Sequence, residues 1–171
     1  MKILTYISIL FWMVLSINIP ENYLKKIDKE VHALFDISTY EKVPVELDES
    51  VISKMSHSFD PAGFYRIVKD DVGLGYFYFG KAPSKADEFD YVVIFDQDLI
   101  IKKIKILAYR EDYGGEISSK RWLRQFDGLQ RGKPVKYEED IKGISGATIS
   151  ARSMTQAVNE LLQNLAHLPH Q

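Results

Sequence analysis

The sequence predicts an α+β domain in which an antiparallel sheet packs against helices. The apolar residues follow a helical period up to residue 35, a strand period between residues 64 and 107, and a helical period again after residue 150. The strand-like segments are joined by short turn signals, which indicates hairpins between antiparallel neighbours. A chain of 171 residues with 46% hydrophobic positions is long enough for one such core and a short leader.

The amino terminus carries an apolar run from Ile3 to Ile19 that contains no charged residue and follows Lys2. One cation before an apolar run is typical of a signal peptide, but the run has no clear small-x-small cleavage site and is close to the minimum length for spanning a bilayer. We therefore predict that residues 1–20 form a signal peptide or a retained membrane anchor. The protein is expected at the cell membrane or exported to the periplasm.

Residues 21–60 are predicted to be a helical lead-in. Apolar residues spaced three and four apart predict an amphipathic helix over residues 21–35. The stretch from Asp36 to Asp60 contains Pro44 and many acidic residues, which indicates a connector with one short helix. Residues 61–171 are then the main domain.

Four strands are predicted over residues 64–68, 74–79, 91–95 and 100–107. The turns 70–73 and 96–98 join the first two and the last two strands as hairpins, because Asp and Gly tolerate left-handed backbone conformations. A short helix is expected over residues 118–126 with Gly128 ending it, and a longer helix from about Ser150.

The composition excludes several classes of function. The net charge is −2 and neither half is strongly basic, so no nucleic-acid partner is expected. Cysteine is absent, which excludes disulfides, thiolate catalysis and cysteine-bound metals. The four histidines show no metal-ligand spacing, so no metal site is predicted.

Small residues lie directly before the last predicted helix, in the segment 143–150. The first turn of a helix has unpaired backbone N–H groups and the positive end of the helix dipole, so it suits a phosphate. A hydroxyl there can donate to a phosphate oxygen or form an ester with the phosphate. The candidate cofactor-binding residues in this segment are Ser145, Gly146, Ala147, Thr148 and Ser150.

Two other readings of this segment start from the residues alone. Ser and Thr are ordinary helix caps and Gly is an ordinary turn residue, so the segment can be only a cap and turn. The stretch 143–147 also approximates the nucleophile elbow of hydrolases. A hydrolase is disfavoured because the histidines that follow Ser145 lie in the polar tail and the strands are predicted to be antiparallel.

The stretch Ser145-Gly146-Ala147-Thr148 resembles the FMN-binding domain family, which includes the covalently flavinylated subunits of the Rnf and sodium-pumping NADH:quinone oxidoreductase complexes and the periplasmic domain of a nitrous-oxide regulator. The resemblance extends from about Gly73 to Leu165. It implies FMN as cofactor and a phosphoester between the flavin and Thr148, formed by a dedicated flavin transferase. In family members that are flavinylated, an acid usually stands three residues before this Ser, where this chain has Lys142.

The segment 109–117 resembles the Glu-and-glycine segment of the family that approaches the flavin. The resemblance places Glu111, Gly114 and Gly115 near the ring, and glycines let a backbone come close to a flat cofactor. From the residues alone, Glu111 can equally be a solvated charge at a strand end. Further possible neighbours of the flavin are Tyr113, Glu116 and Trp122.

The resemblance implies an electron carrier rather than a self-contained oxidoreductase, since no histidine or tyrosine stands out as a proton donor to a substrate. Its expected partner is a membrane redox protein or a quinone-linked complex. The alternative is a sensory or regulatory module that binds FMN without a covalent bond and controls a membrane partner.

Overall fold

The computed structural model describes residues 19–169. Its centre is a five-stranded antiparallel sheet with strand order β1-β2-β3-β4-β5. The strands are β1 (Glu41–Pro44), β2 (Phe64–Lys69), β3 (Val72–Pro83), β4 (Glu88–Asp96) and β5 (Ile101–Ala108). The helices are α1 (Glu21–Phe35), α2 (Glu49–Ile52), α3 (Lys120–Leu123) and α4 (Thr148–Leu165). The predicted α+β class and the antiparallel meander are confirmed.

Both faces of the central strands are buried, so the sheet lies between two layers. On one face, Ile27 and Val31 of α1 pack against Phe77 and Ile94. The other face holds the larger core, in which Met154 and Val158 of α4 belong to the same cluster as aromatic residues of β3 and β4. Six successive residues of β3 are buried because each face has a helical cover.

The β2–β3 hairpin follows the predicted chemistry, since Asp70 and Asp71 both adopt left-handed conformations with φ of 50° and 63°. The β4–β5 turn differs in detail. Its left-handed residue is Leu99, with φ of 60°, while Asp96 accepts hydrogen bonds from the backbone N–H groups of Asp98 and Ile100. The aspartate therefore stabilises the turn through its side chain rather than through its own backbone.

Two elements differ from the sequence prediction. Residues 41–44 form a strand, β1, where only a connector was expected, and all four residues of this edge strand are exposed. The predicted helix over residues 118–126 is divided into 3-10 turns at 115–118 and 124–126 on either side of α3. Gly128 has a positive φ of 83°, which agrees with its predicted place just after the helix.

The predicted leader covers residues 1–20, and residues 1–18 lie outside the part of the chain that the structure describes. Among the helices that the structure describes, none has the length and apolarity required to cross a membrane.

Candidate functional site at the amino terminus of α4

Helix α4 begins at Thr148, two residues earlier than the sequence suggests. Gly146 turns the chain into the helix with φ of 86°, and Ala147 occupies the N-cap position without a side-chain cap. The first N–H groups of an α-helix have no intrahelical acceptor. The exposed Thr148 hydroxyl therefore lies at a helix end whose donors are open to an anion.

Ser150 has a different role from the one expected. Its side chain is buried, and its hydroxyl shares a hydrogen bond of 2.9 Å with the hydroxyl of Tyr109. Tyr109 also donates to the backbone carbonyl of Tyr113 at 3.0 Å. Through Tyr109, the structure brings together the two segments that the sequence singled out separately.

Gly114 and Gly115 have unequal surroundings. Gly114 is buried with φ of 91°, and a Cβ there would lie 2.3 Å from the Tyr109 hydroxyl oxygen and 3.7 Å from Ser150 Oγ. Gly115 is exposed, and a Cβ would meet nothing within 4 Å. Gly114 is therefore required by packing next to α4, while Gly115 leaves open space at the surface.

Glu116 lies against the turn that begins α4. A Cβ on Gly146 would be 3.0 Å from Glu116 Oε1, so the carboxylate covers one side of the glycine. Two large hydrophobic side chains are exposed on the flanking segments, Tyr113 at 85% and Ile149 at 52%. The end of α4 thus has a carboxylate on the Gly146 turn and exposed apolar surface on the segments beside it.

Glu111 follows β5, and its side chain lies against the loop between β3 and β4. Its carboxylate accepts hydrogen bonds from the hydroxyl of Ser84 and from the backbone N–H groups of Ala86 at 2.8 Å and Asp87 at 3.2 Å. The Ala86 N–H and the Ser84 hydroxyl are the main causes that hold the pKa of Glu111 below its ordinary value. The side chain thereby ties the segment 109–116 to that loop.

Trp122 holds the loop that precedes the stretch Ser145–Thr148. Its indole N–H donates to the carbonyl of Lys142 at 2.7 Å, and the backbone N–H of Lys142 donates to Gln125 Oε1 at 2.8 Å. The Lys142 ammonium donates to the backbone carbonyl of Glu138 at 2.6 Å, while the Glu138 carboxylate accepts from the Gly143 N–H at 3.1 Å. The Glu138 carboxylate therefore lies beside the residues that lead into the stretch Ser145–Thr148.

Sequence reasoning missed Tyr109, Glu138 and Arg152. Arg152 lies one turn into α4, with its guanidinium carbon 5.5 Å from the centroid of the Tyr137 ring. The only sequence signal for Tyr109 was its place at the start of the segment 109–117. Glu138 and Arg152 had none, since Glu138 reaches Gly143 only through the folded loop and Arg152 contacts Tyr137 of that loop from α4.

The residues present fit the phosphate of a bound cofactor. The helix end has no side-chain cap, the turn before it is a left-handed glycine, and Thr148 offers an exposed hydroxyl. Among residues 19–169 there is no group of histidine, aspartate or glutamate side chains that could hold a metal ion. Fold and site together define an α+β domain with an uncapped helix terminus that fits a phosphate.

The comparison with protein families identifies the cofactor. Residues 85–163 match the model of the FMN-binding domain, a segment that includes both the 109–116 loop and the start of α4. This segment thus matches the FMN-binding domain family, and the match indicates FMN as the cofactor. A comparison with curated proteins finds no match.

Proposed function

We propose that this protein is an electron-transfer protein that carries FMN on Thr148, at or outside the cytoplasmic membrane. The observation that carries the proposal is the uncapped start of α4, with an exposed threonine hydroxyl, inside a segment of the FMN-binding family. The flavin supplies the chemistry when bound, since it accepts and releases electrons. The chain supplies the position, the exposure and the charges around it.

The attachment is a phosphoester. The Thr148 oxygen forms a bond to the phosphorus of an activated flavin nucleotide, and the hydroxyl proton passes to a base of the transferase. The phosphorus–oxygen bond to the second phosphate of that nucleotide breaks, and the second phosphate leaves with the bonding electrons. A flavin transferase catalyses the step. The negative charge that remains on the phosphoester then lies at the positive end of the α4 dipole, which stabilises it by about 0.3–1 kcal/mol.

The position of the Glu116 carboxylate favours covalent attachment of FMN to Thr148 over non-covalent binding of FMN. Free FMN has a phosphate monoester with about −1.5 to −2 charges at neutral pH. A diester to Thr148 carries a single negative charge, so it is repelled less by the carboxylate against Gly146. The Glu116 carboxylate therefore disfavours the free cofactor more than the attached one.

The exposure of the site supports electron transfer to another protein. Five residues around the proposed attachment point are exposed. They are Tyr113, Gly115, Glu116, Thr148 and Ile149. A flavin held beside them lies at the surface, where a membrane redox protein or a quinone-linked complex can approach it.

The proposed location rests on the apolar run before the domain. α1 starts at Glu21, immediately after the predicted leader of residues 1–20, and packs on the sheet through Ile27 and Val31. A retained anchor would hold the domain at the membrane surface. A cleaved leader would release the same domain into the periplasm.

The test is the intact mass of the protein produced together with a flavin transferase. We expect an increase of one FMN less one water, mapped to the peptide that contains Thr148. Thr148→Val removes the hydroxyl while retaining a β-branched residue, and should abolish the increase. Thr39→Val is the matched control, because it is the same substitution at an exposed threonine outside the site and should leave the mass increase intact.

Covalent FMN on Thr148→Val would contradict the assignment of the residue. An unmodified mass with flavin retained in the native protein would contradict the phosphoester, while leaving FMN binding in place. Electron transfer is tested separately, by following reoxidation of the reduced protein in the presence and absence of membranes. Equal rates in both would contradict a membrane redox partner.

A further inference from the structure

A cavity of about 220 Å³ lies between α4 and the strands β3 and β4. Its walls contain Phe59, Tyr78 and Tyr91 on one side, and Ser153, Ala157 and Glu160 of α4 on the other. None of the residues assigned above to the FMN site lines it. Ser153 follows Thr148 by five residues, so the cavity begins about 7.5 Å along the helix axis from the attachment point.

The aromatic side of the cavity depends on a glycine. Gly80 of β3 pairs with Tyr91 of β4, and a Cβ at Gly80 would lie 2.7 Å from both the Tyr78 ring and the Tyr91 hydroxyl. The missing side chain lets the two tyrosine rings approach to 6.5 Å between centroids. Phe59 stacks on Tyr78 at 5.3 Å with an interplanar angle of 14°, which extends the aromatic surface.

The buried part of the cavity offers neutral hydrogen-bond donors. Tyr91 is 3% exposed, and burial, together with Tyr78 and Glu160, raises its pKa, so its hydroxyl stays protonated. Burial and nearby charge raise the pKa of Tyr91, and among the described residues no hydrogen bond contributes to this effect. Tyr78 also keeps its proton, and its oxygen accepts from the backbone N–H of Asp60 at 3.2 Å.

The charged residues of the lining have opposite signs. Lys81 is exposed and Glu160 is half-buried, so the pair gives the opening no net charge. A charged ligand would gain little there, and its charge would be costly against the aromatic floor. The volume is below the 300–1,000 Å³ range of pockets for drug-sized ligands, which restricts the occupant to about one ring.

We propose that this cavity binds a neutral, planar compound with one aromatic or quinonoid ring and a carbonyl oxygen that accepts a hydrogen bond from Tyr91. The ring packs against Phe59 and Tyr78, and the α4 side closes over it with the small residues Ser153 and Ala157. The proposal goes beyond FMN binding and does not depend on covalent attachment or on electron transfer. Quinone head groups are members of this chemical class.

The probe is acetophenone, with ethylbenzene as a control of similar shape that lacks the acceptor. NMR titration of the full-length protein should give saturable binding of acetophenone, with chemical-shift changes at Ala82 and Ala157, which both line the cavity. Ethylbenzene should bind at least fivefold more weakly. Tyr91→Phe should weaken acetophenone about five- to tenfold and leave ethylbenzene unchanged.

Ala157→Leu fills the cavity from the helix and should abolish binding of both probes. Ala166→Leu, the same substitution at an exposed residue just after α4, should change neither. Equal affinity for the two probes, or unchanged acetophenone binding in folded Ala157→Leu, would overturn the proposal. Binding that disappears when FMN is loaded would show that the flavin uses this cavity, which also overturns it as a separate site.

Discussion

At the scale of single residues, the helix dipole of α4 and the Glu116 carboxylate act with opposite sign on the same place. The carboxylate lies against Gly146, the residue immediately before the N-cap of α4. The open N–H groups attract a phosphate, whereas the carboxylate repels it. The affinity for free FMN is therefore set by the difference between these two effects.

Glu116→Gln removes the repulsion while preserving the size and polarity of the side chain. We expect the affinity for free FMN to increase by up to about fivefold, the effect of an exposed charge interaction of 0.2–1 kcal/mol. Titration of the non-flavinylated protein by flavin fluorescence at low salt measures it. Because salt screens exposed charges, the gain should shrink at high ionic strength, and a gain independent of salt would contradict the electrostatic cause.

The two neighbouring glycines give a second prediction. Gly114→Ala places a Cβ against the Tyr109 hydroxyl at a positive φ, so it should displace Tyr109 from Ser150 and weaken FMN binding at least tenfold. It should also lower the free energy of unfolding by about 1–3 kcal/mol. Gly115→Ala is the matched control, since its Cβ would meet nothing within 4 Å. Equal effects of both substitutions on flavin titration and urea unfolding would contradict this role.

At the scale of elements, Arg110 joins three parts of the fold. It donates to the buried carboxylate of Asp90 in β4, to the carbonyl of Glu88 at 2.8 Å and to the Tyr23 hydroxyl of α1 at 3.3 Å. It belongs to the same segment as Tyr109 and Glu111, which reach α4 and the β3–β4 loop. The segment 109–116 is thereby connected to both layers that cover the sheet.

Arg110→Ala leaves Asp90, which is 1% exposed, without its cation. We expect the free energy of unfolding to fall by about 1–3 kcal/mol, below the full cost of a broken buried pair because the arginine is 38% exposed. Lys25→Ala is the control, because its bridge to Glu21 is exposed on both sides and should contribute about 0–0.5 kcal/mol. Urea unfolding measures both, and similar losses would contradict the importance of the buried carboxylate.

The elements differ in how well the sequence predicts them. Helices α1 and α4 and strands β2 to β5 show in the sequence because each contributes apolar residues to a core, β3 and β4 on both of their faces. β1 buries no face, so its four exposed residues leave no pattern to detect. Its place is determined by pairing with β2, which is information that the local sequence does not contain.

The residues of the candidate site were likewise predictable from the sequence only in part. The stretch from Ser145 to Thr148 lies at the start of α4, as its small residues and hydroxyls suggest. The contact of Ser150 with Tyr109 joins residues 41 positions apart, and the contact of Glu116 with Gly146 depends on the same fold. Such contacts depend on tertiary packing, so a single sequence indicates the residues but not their partners.

At the scale of the whole molecule, the segment that matches the FMN-binding domain is only part of the folded unit. The match begins at residue 85, whereas β3 lies before it and pairs with β4 from Gly75 to Pro83. Phe64, Tyr76 and Tyr78 from the preceding strands belong to the core on which α4 packs. Residues outside the matched segment therefore hold α4 in place.

A fragment that starts at residue 85 should consequently fail to fold. It would retain β4 and β5 but lose three of the five strands, together with α1 and four aromatic residues of the main core. Two antiparallel strands are only marginally stable in water, and α4 would lose the apolar surface that β2 and β3 supply. A chain that starts at residue 19 retains every described element and is the control. Circular dichroism and a cooperative urea transition distinguish the two. A cooperative transition in the shorter fragment, with FMN binding retained, would mean that β4, β5 and α4 form a stable domain without the strands that precede them.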